Sequence, residues 1–353
     1  MVTPYMKAVA EKVVESPMTL RQGKNPTIYD VARQSRLSIA TVSRVLNSPD
    51  QVTLQTRERV LKVIDELGFV PKAEARARAI RGTRRIGVLT PFFTSPSFVE
   101  RLKGIAYALG KTNYELIIYT VHSINNESAF LASIALSGSL DGLIILSLPL
   151  TENDARRLVE HRVVTVVVEC EQEYFSSVDI DNAAGGEMAG RYLLEKGHRK
   201  VGFIGEIIPP EYAIRPALAR LNGMQRVMAK ADIRIPEDYI QSAPIDPEST
   251  RQAANKLLNL PDRPTAIFAA ADVQAMVLMK TAADRGLKVP QDLAVLGFDG
   301  LEYAEFMGLT TINQSLVDSG RIAAELLLTQ LTDASHSVQH IKLPLTLVER
   351  ETV

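Results

Sequence analysis

The chain has 353 residues, of which 46% are hydrophobic and 23% charged, and its formal net charge is −1. This length predicts two or three domains, and the composition is that of a soluble protein with substantial buried cores. The single cysteine, Cys170, excludes an internal disulfide framework, and the five histidines lack the spacing of a zinc site. No segment has the pattern of a signal peptide or a membrane span, so we expect a cytoplasmic protein without a metal or other cofactor.

Charge is unevenly distributed along the chain. Residues 1–85 contain 16 Lys and Arg against 8 Asp and Glu, a net charge of +8, whereas the remaining residues carry −9. A basic front on an acidic body indicates nucleic-acid binding at one end of a chain. Charge alone leaves open the alternative that the basic residues form a solvated face.

Residues 27–71 predict three short helices. Thr27 and Asp30 have the spacing of a capping box at the start of the first, and Ser38 is the expected N-cap of the second. The apolar residues at helical spacing, which we expect to be buried, are Ile28, Val31, Ala32, Val42, Val45, Leu46, Val60, Val63, Ile64 and Leu67. Gly68 fits the end of the third helix.

The second helix turns a distinct set of side chains outward once its apolar stripe is buried. These are Ile39, Ala40, Ser43, Arg44 and Asn47. Arg44 can donate to a guanine edge, while Ile39 and Ala40 can contact thymine methyl groups in a major groove. Thr41 and Ser43 are of the kind that hold phosphates. The spacing alone leaves open a three-helix cap that merely exposes one arginine and one isoleucine.

From Arg84 onward, short apolar runs alternate with helical stretches. The runs are "RIGVLT", "ELIIYTV", "DGLIILSL", "VVTVVVE", "KVGFIGE", "TAIFAA" and "LAVLGFD". Most are near-continuous Val, Ile and Leu, as expected for strands buried on both faces. The βαβ order predicts parallel sheets, and about 260 residues of it exceed one sheet. We therefore expect two α/β lobes with a cleft between them.

Motifs at both ends of the chain point to one family. The pattern T-I-x-D-V-A…S-x-A-T-V-S-R-V-L-N spans residues 27–47, and "TRERVLKVIDELGFVP" follows at 56–71. Further motifs are "VDIDNAAGGEMAGRYLLEKGHRKVGFI", "VPQDLAVLGFDG", "LTTINQ" and "LPLTLVERE". Over roughly residues 27–351 the chain resembles the LacI/GalR family of bacterial transcription regulators.

The resemblance implies a multidomain protein, with a small all-α helix-turn-helix headpiece and an α/β, two-lobed, periplasmic-binding-protein-like domain with parallel sheets. We expect a flexible extension at 1–26, the DNA-binding domain at 27–71, a hinge at 72–85, and the effector-binding and dimerisation domain at 86–353. The expected crossovers between lobes lie near residues 181, 313 and 340.

The resemblance also implies a homodimer that reads a pseudo-palindromic operator in double-stranded DNA as a repressor. The residues expected to contact DNA are Thr27, Tyr29, Ser38, Ile39, Ala40, Thr41, Ser43, Arg44, Asn47, Lys72 and Arg78. The chain ends a few residues after "LPLTLVERE", without the leucine-heptad tail that makes some relatives tetrameric, which favours a dimer.

Two segments depart from the family pattern. The turn between the first two helices is Ser35-Arg36-Leu37 instead of Ala-Gly-Val, and a non-glycine residue in its left-handed conformation costs about 1–2 kcal/mol. In the hinge, Arg78 stands where the family inserts a leucine into the minor groove. We hypothesise that Arg78 enters a narrow, A·T-rich groove as a charged probe. A hinge that contacts only phosphates remains an equal alternative.

In the cleft, the resemblance assigns Arg220 and Asp299 as a donor–acceptor pair for a polar ligand. The other expected effector-binding residues are Ser97, Phe98, Asp272 and Gln314. Ala271 replaces an asparagine that often reads a sugar hydroxyl in the family, which puts a standard hexose in doubt. We expect a carbohydrate or a related polar metabolite. The glycine-rich segment 185–190 predicts a tightly packed helix rather than a phosphate loop.

A solute-binding protein and an α/β enzyme are the two alternatives to a regulator. A solute-binding protein without a DNA role would lack a use for the basic front and would need a signal peptide. An α/β enzyme would need catalytic residues, and the chain has no P-loop, no G-x-S-x-G elbow and no metal-ligand cluster. We expect no catalytic residue.

Overall fold

A computed structural model describes residues 26–47, 51–69, 82–170, 172–333 and 337–353. The chain divides into two compact units, one up to Pro71 and the other from Lys72. The predicted N-terminal extension, apart from its last residue, lies outside the described residues, as does most of the predicted hinge.

Three helices form the first unit: α1 (Ile28–Ser35), α2 (Ile39–Asn47) and α3 (Leu54–Leu67). The predicted capping box is present, because the Thr27 amide donates to Asp30 at 2.9 Å and the Thr27 hydroxyl donates to the same carboxylate at 2.6 Å. At the start of α2, the Thr41 amide donates to Ser38 Oγ at 3.1 Å. Of the residues predicted to be buried, eight are buried and two, Ile28 and Leu67, are partly exposed.

The turn from α1 to α2 places Arg36 in the left-handed region, with φ 53° and ψ 40°. Its amide donates to the Arg33 carbonyl at 3.2 Å, and the Leu37 amide donates to the Ala32 carbonyl at 3.0 Å. These bonds close the last turn of α1 although the residue carries a Cβ. The predicted left-handed conformation at this position is therefore present.

The second unit contains twelve strands in its described part. They are β1 (Arg85–Thr90), β2 (Glu115–Thr120), β3 (Gly142–Leu146), β4 (Val164–Val168), β5 (Ser176–Asp179), β6 (Val201–Gly205), β7 (Ile240–Ser242), β8 (Ala266–Ala269), β9 (Ala294–Asp299), β10 (Thr311–Asn313), β11 (His340–Lys342) and β12 (Thr346–Val348). Lobe 1 has the sheet order β11-β5-β4-β3-β1-β2 and lobe 2 the order β12-β10-β9-β8-β6-β7. All neighbouring strands are parallel except β10 and β12.

Helices cover both faces of the two sheets. They are α4 (Pro96–Leu109), α5 (Ile124–Ser137), α6 (Glu152–Glu160), α7 (Asn182–Glu195), α8 (Pro216–Lys230), α9 (Pro247–Leu258), α10 (Asp272–Asp284), α11 (Glu302–Phe306) and α12 (Leu316–Thr332). Helix α12 packs on α4 in lobe 1, and α7 packs on α8 in lobe 2. Among the described helices, none combines the length and apolar character needed to span a membrane.

The chain passes between the lobes three times. It leaves lobe 1 between Asp179 and Asn182, returns between Asn313 and Leu316, and leaves again after β11. The first two expected positions, 181 and 313, fall in these segments, and the third, 340, falls at the start of β11. Because the sheets are parallel, the carboxyl ends of their strands meet the cleft, where ligands bind in such folds.

The strands are apolar on both faces, as their composition predicts. All five residues of β3 and all five of β6 are buried. Alternate residues enter different apolar clusters, with Ile144 in one and Ile145 in the other. Each lobe therefore has a core on both faces of its sheet, which fixes the strand ends that face the cleft.

Lobe 1 contains a buried carboxylate that lies close to a second one. Glu127, in α5, is 4% exposed, and its Oε1 has no hydrogen-bond partner among the described residues. Burial, and after it the negative charge of Asp154, raises the pKa of Glu127 from 4.5 to about 8. The native state therefore keeps a proton that the unfolded chain releases near its ordinary pKa.

This burial predicts a pH dependence of stability. Between about pH 5 and pH 8 the free energy of unfolding should fall as pH rises, by up to about 1.4 kcal/mol per pH unit, because the native state binds more protons there. Glu127→Gln should reduce this slope in urea unfolding of the full chain, and the raised pKa values of Asp272 and Asp299 should maintain the rest of it. The exposed Glu160→Gln is the control and should keep it; a Glu127→Gln variant with the original slope contradicts the assignment.

A second prediction concerns Arg36. Arg36→Gly should stabilise the first unit by about 0.5–1 kcal/mol, because relief of the left-handed strain exceeds the added entropy of the unfolded glycine. Arg36→Ala keeps the Cβ and should give no such gain. Thermal unfolding followed by circular dichroism compares the two variants, and equal midpoints would argue against strain at this turn.

Candidate functional site

The outward face of α2 carries the side chains that its periodicity predicts. Ile39 is 42% exposed, and Ala40 and Arg44 are also exposed. Ser43 and Thr41 are partly exposed on the flanks. An arginine beside small and apolar side chains can form both hydrogen bonds and methyl contacts with base edges.

The other residues expected to contact DNA fall into two groups. Tyr29 is 66% exposed, whereas the hydroxyls of Thr27 and Ser38 are engaged in the caps, with 2.8 Å between the Ser38 and Thr41 oxygens. The side chain of Asn47, together with all of Lys72 and Arg78, lies outside the described residues. The hypothesis about Arg78 therefore stays a prediction.

In the second unit, a cavity lies between the lobes, and it encloses about 670 Å³ of empty space together with the open solvent at its mouth. Five of the six residues expected to bind an effector line it: Ser97, Phe98, Arg220, Asp299 and Gln314. Ala271, the replacement for the family asparagine, also lies in its wall. The structure therefore brings together residues that are far apart in the sequence.

Arg220 is held firmly at the cavity. Its Nε donates to Asn182 Oδ1 at 2.9 Å, and its Nη1 donates to the Ala270 carbonyl at 2.5 Å. The guanidinium carbon lies 3.6 Å from the centre of the Phe298 ring, and Nη1 is 4.0 Å from Asp299 Oδ1. Asn182 thus positions the cleft arginine.

Asp299 ends β9 in an unusual conformation, with φ 130°. Gln314 Nε2 donates to its Oδ1 at 2.6 Å. Burial raises the pKa of Asp299, while the nearby charges of Arg220 and Arg101 and the Gln314 hydrogen bond oppose that shift. Backbone strain at a buried polar residue is typical of a ligand-binding site.

Asp272 differs in position from the other five residues expected to bind an effector. It is fully buried but is not part of the cavity wall. Its Oδ2 accepts the Leu301 amide at 2.8 Å, and its Oδ1 accepts the Thr311 hydroxyl at 2.5 Å. Both oxygens of Asp272 therefore tie α10 to the segments after β9 and in β10.

The expected set also misses an ion pair on the lobe 1 side of the cavity. Arg101 Nη2 lies 2.6 Å from Glu169 Oε1, and both side chains are less than 10% exposed. The Ser147 hydroxyl donates to the other Glu169 oxygen. Glu169 follows directly after the buried strand β4, so its position at a parallel strand end was the signal available in the sequence.

Aromatic side chains form an apolar wall that connects the lobes. Phe92 and Phe98 in lobe 1 meet edge to face with their ring centres 6.0 Å apart. Tyr212, from the segment between β6 and α8 of lobe 2, lies 6.1 Å from Phe92. A ligand in the cavity therefore meets apolar surface as well as paired charges.

Comparison with known proteins gives two matching family models. The model for bacterial regulatory proteins of the lacI family matches residues 27–72, and the one for periplasmic binding protein-like domains matches residues 191–353. The HTH-type transcriptional repressor PurR of Escherichia coli O139:H28 (strain E24377A / ETEC) is 33% identical over 335 residues, covering 93% of this chain and 96% of PurR.

Solved structures of transcriptional regulators superpose on this chain. The transcriptional regulator CelR–cellobiose complex superposes with a TM-score of 0.68 at 29% identity, covering 93% of this chain and all of that one. The lac repressor dimer bound to operator and the anti-inducer ONPF gives a TM-score of 0.66 at 25% identity, covering 93% and 99%.

The contacts of Asp272 predict a structural cost. Asp272→Ala leaves the Leu301 amide and the Thr311 hydroxyl without their acceptor and should lower the free energy of unfolding by about 2–4 kcal/mol. Asp284→Ala, on the exposed end of the same helix, should change it by less than about 0.5 kcal/mol. Urea unfolding without ligand measures both; an unchanged Asp272→Ala protein would return this residue to the ligand-binding set.

Proposed function

The chain belongs to the LacI family of bacterial regulatory proteins, and we propose that it is a transcriptional repressor that binds a pseudo-palindromic DNA operator as a homodimer. A small polar effector in the cavity between the lobes sets its affinity for that operator. The observation that carries the proposal is the exposed face of α2, on which Ile39, Ala40 and Arg44 stand outside a buried apolar stripe.

Charge supports the DNA-binding role. The first 85 residues carry +8 and the rest of the chain −9, so the positive charge is concentrated in the part that contains α2. Phosphate attraction supplies affinity, and base contacts from α2 supply sequence discrimination. A protein that binds bacterial DNA works in the cytoplasm, where we therefore place it.

The cavity supports the effector. Its wall combines buried guanidinium and carboxylate groups with apolar side chains, and a polyhydroxylated ligand has both hydroxyls and an apolar face to match. The CelR structure holds cellobiose. Two of the cavity carboxylates, Glu169 and Asp299, lie within ion-pair distance of Arg101 and Arg220. The role of the cavity in this proposal is binding.

Coupling between the two sites must be reciprocal. If the effector changes operator affinity by some factor, the operator changes effector affinity by the same factor. Measuring both affinities for the full chain therefore gives two estimates of one coupling free energy.

Arg44 provides the sharpest test of the DNA-binding role. Selection of the full chain on random double-stranded oligonucleotides should enrich one sequence with two related half-sites. Arg44→Ala should weaken binding to that sequence about 5- to 150-fold, because a base-edge contact is lost, and should change binding to scrambled DNA much less. Fluorescence anisotropy at constant salt measures both.

Arg59→Ala is the matched control, since Arg59 is an exposed arginine on α3. It should leave the ratio of specific to scrambled binding unchanged. Selection that enriches no sequence would contradict the proposal and favour a solute-binding protein without a DNA role. An Arg44→Ala variant that keeps full discrimination would contradict the assignment of α2.

A further inference from the structure

A four-residue pattern occurs once in each lobe. Residues 101–104 in α4 read Arg-Leu-Lys-Gly, and residues 220–223 in α8 read Arg-Leu-Asn-Gly. Each glycine lies at a close helix crossing. A Cβ on Gly104 would be 1.9 Å from the Val317 carbonyl oxygen in α12, and one on Gly223 would be 2.0 Å from the Ala183 carbonyl oxygen in α7.

The partner helices repeat this arrangement from the other side. A Cβ on Gly320 of α12 would lie 2.0 Å from the Arg101 carbonyl oxygen, and one on Gly186 of α7 would lie 1.8 Å from the Arg220 carbonyl oxygen. In both lobes, a glycine therefore rests directly on the backbone of the arginine. The same packing fixes one arginine on each side of the cavity.

The two arginines are linked through Gln314 and Asp299. Arg101 Nη2 donates to Gln314 Oε1 at 3.4 Å, and Gln314 Nε2 donates to Asp299 Oδ1 at 2.6 Å. Asp299 lies 4.0 Å from Arg220. With Glu169 at the other end, the chain of donors and acceptors crosses from lobe 1 to lobe 2.

Arg101 keeps an unused donor in this buried setting. The residue is 3% exposed, and its Nε has no hydrogen-bond partner within the described part of the chain. The same side chain lines the cavity. A buried guanidinium donor without an acceptor is costly, and a ligand oxygen in the cavity would supply the acceptor.

The charges of the wall limit the ligand. Arg101 is paired with Glu169, Arg220 faces Asp299, and Glu206 adds a third carboxylate to the lining. An anion would therefore meet three carboxylates against two guanidinium groups at a site of low dielectric constant. A hydroxyl can accept from a guanidinium and donate to a carboxylate at the same time.

We propose that Arg101 and Glu169 are a second effector-binding pair, opposite Arg220 and Asp299, and that the effector is an uncharged polyhydroxylated molecule. This inference rests on the proposed function. It assigns to Arg101 a hydrogen bond to a ligand hydroxyl on the lobe 1 side. It also excludes sugar phosphates and sugar acids as effectors.

The first arm of the test is a thermal-shift screen of the full chain with matched sets. Each set contains a neutral mono- or disaccharide, its phosphate and its aldonic or uronic acid. Neutral members should raise the Tm in a concentration-dependent way, and charged members of the same set should not. A screen in which only charged compounds raise the Tm, or in which no neutral compound does, overturns the inference.

The second arm uses variants with the best neutral compound. Arg101→Met should weaken its binding in calorimetry about 10- to 100-fold, since a hydrogen bond from a charged donor is lost. Arg156→Met, at an exposed lobe 1 pair, should leave the Kd unchanged. The double variant Arg101→Met/Glu169→Gln avoids an unpaired buried carboxylate, keeps the experiment valid if the single variant does not fold, and should show a similar loss.

Deoxy analogues of the same compound separate contact from packing. One deoxy analogue should bind the wild type more weakly than the parent compound does. The double variant should bind that analogue and the parent compound equally well. A double variant with wild-type Kd, or one that discriminates all analogues as the wild type does, overturns the assignment of Arg101. Operator binding without ligand, measured on each variant, tests the proposed function separately.

Discussion

Two glycine-mediated helix crossings determine where the buried arginines lie. At each crossing, backbone contacts backbone, because a Cβ at Gly186 or Gly320 would lie only 1.8 or 2.0 Å from an arginine carbonyl oxygen. Helices packed this closely cannot shift relative to each other without a steric clash, so their relative positions are fixed. The guanidinium groups of Arg101 and Arg220 consequently face the cavity from fixed points on opposite lobes.

Buried charges of this kind contribute little net stability, because desolvation offsets most of the attraction between them. Their contribution is to discriminate between ligands. Acceptors and donors alternate along one series of side chains, which runs through Glu169, Arg101, Gln314, Asp299 and Arg220. A ligand that binds there must match this alternation, or it leaves a buried polar group without a hydrogen-bond partner. The cleft is thus selective because its polar groups already have most of their partners.

Much of this protein is determined locally. The headpiece helices and the exposed face of α2 follow from helical spacing, capping residues and a run of buried apolar positions, all within neighbouring turns of one chain segment. Even the strained turn at Arg36 follows from a single departure in a short motif. The buried strands of the lobes are equally readable, since strands covered on both faces need near-continuous apolar runs.

The cleft is different, because its residues meet only when the lobes are assembled. The hydrogen bond between Arg101 and Gln314 joins positions 213 residues apart, and no local pattern specifies it. Asp272 and Asp299 both sit at strand-to-helix junctions of lobe 2, yet tertiary packing turns one into the core and the other into the cavity. The sequence by itself therefore determined the elements, their order and the outward-facing side chains of α2, which depend on spacing along the chain. The tertiary structure alone decided which polar groups share the cleft, because that depends on how closely the helices approach.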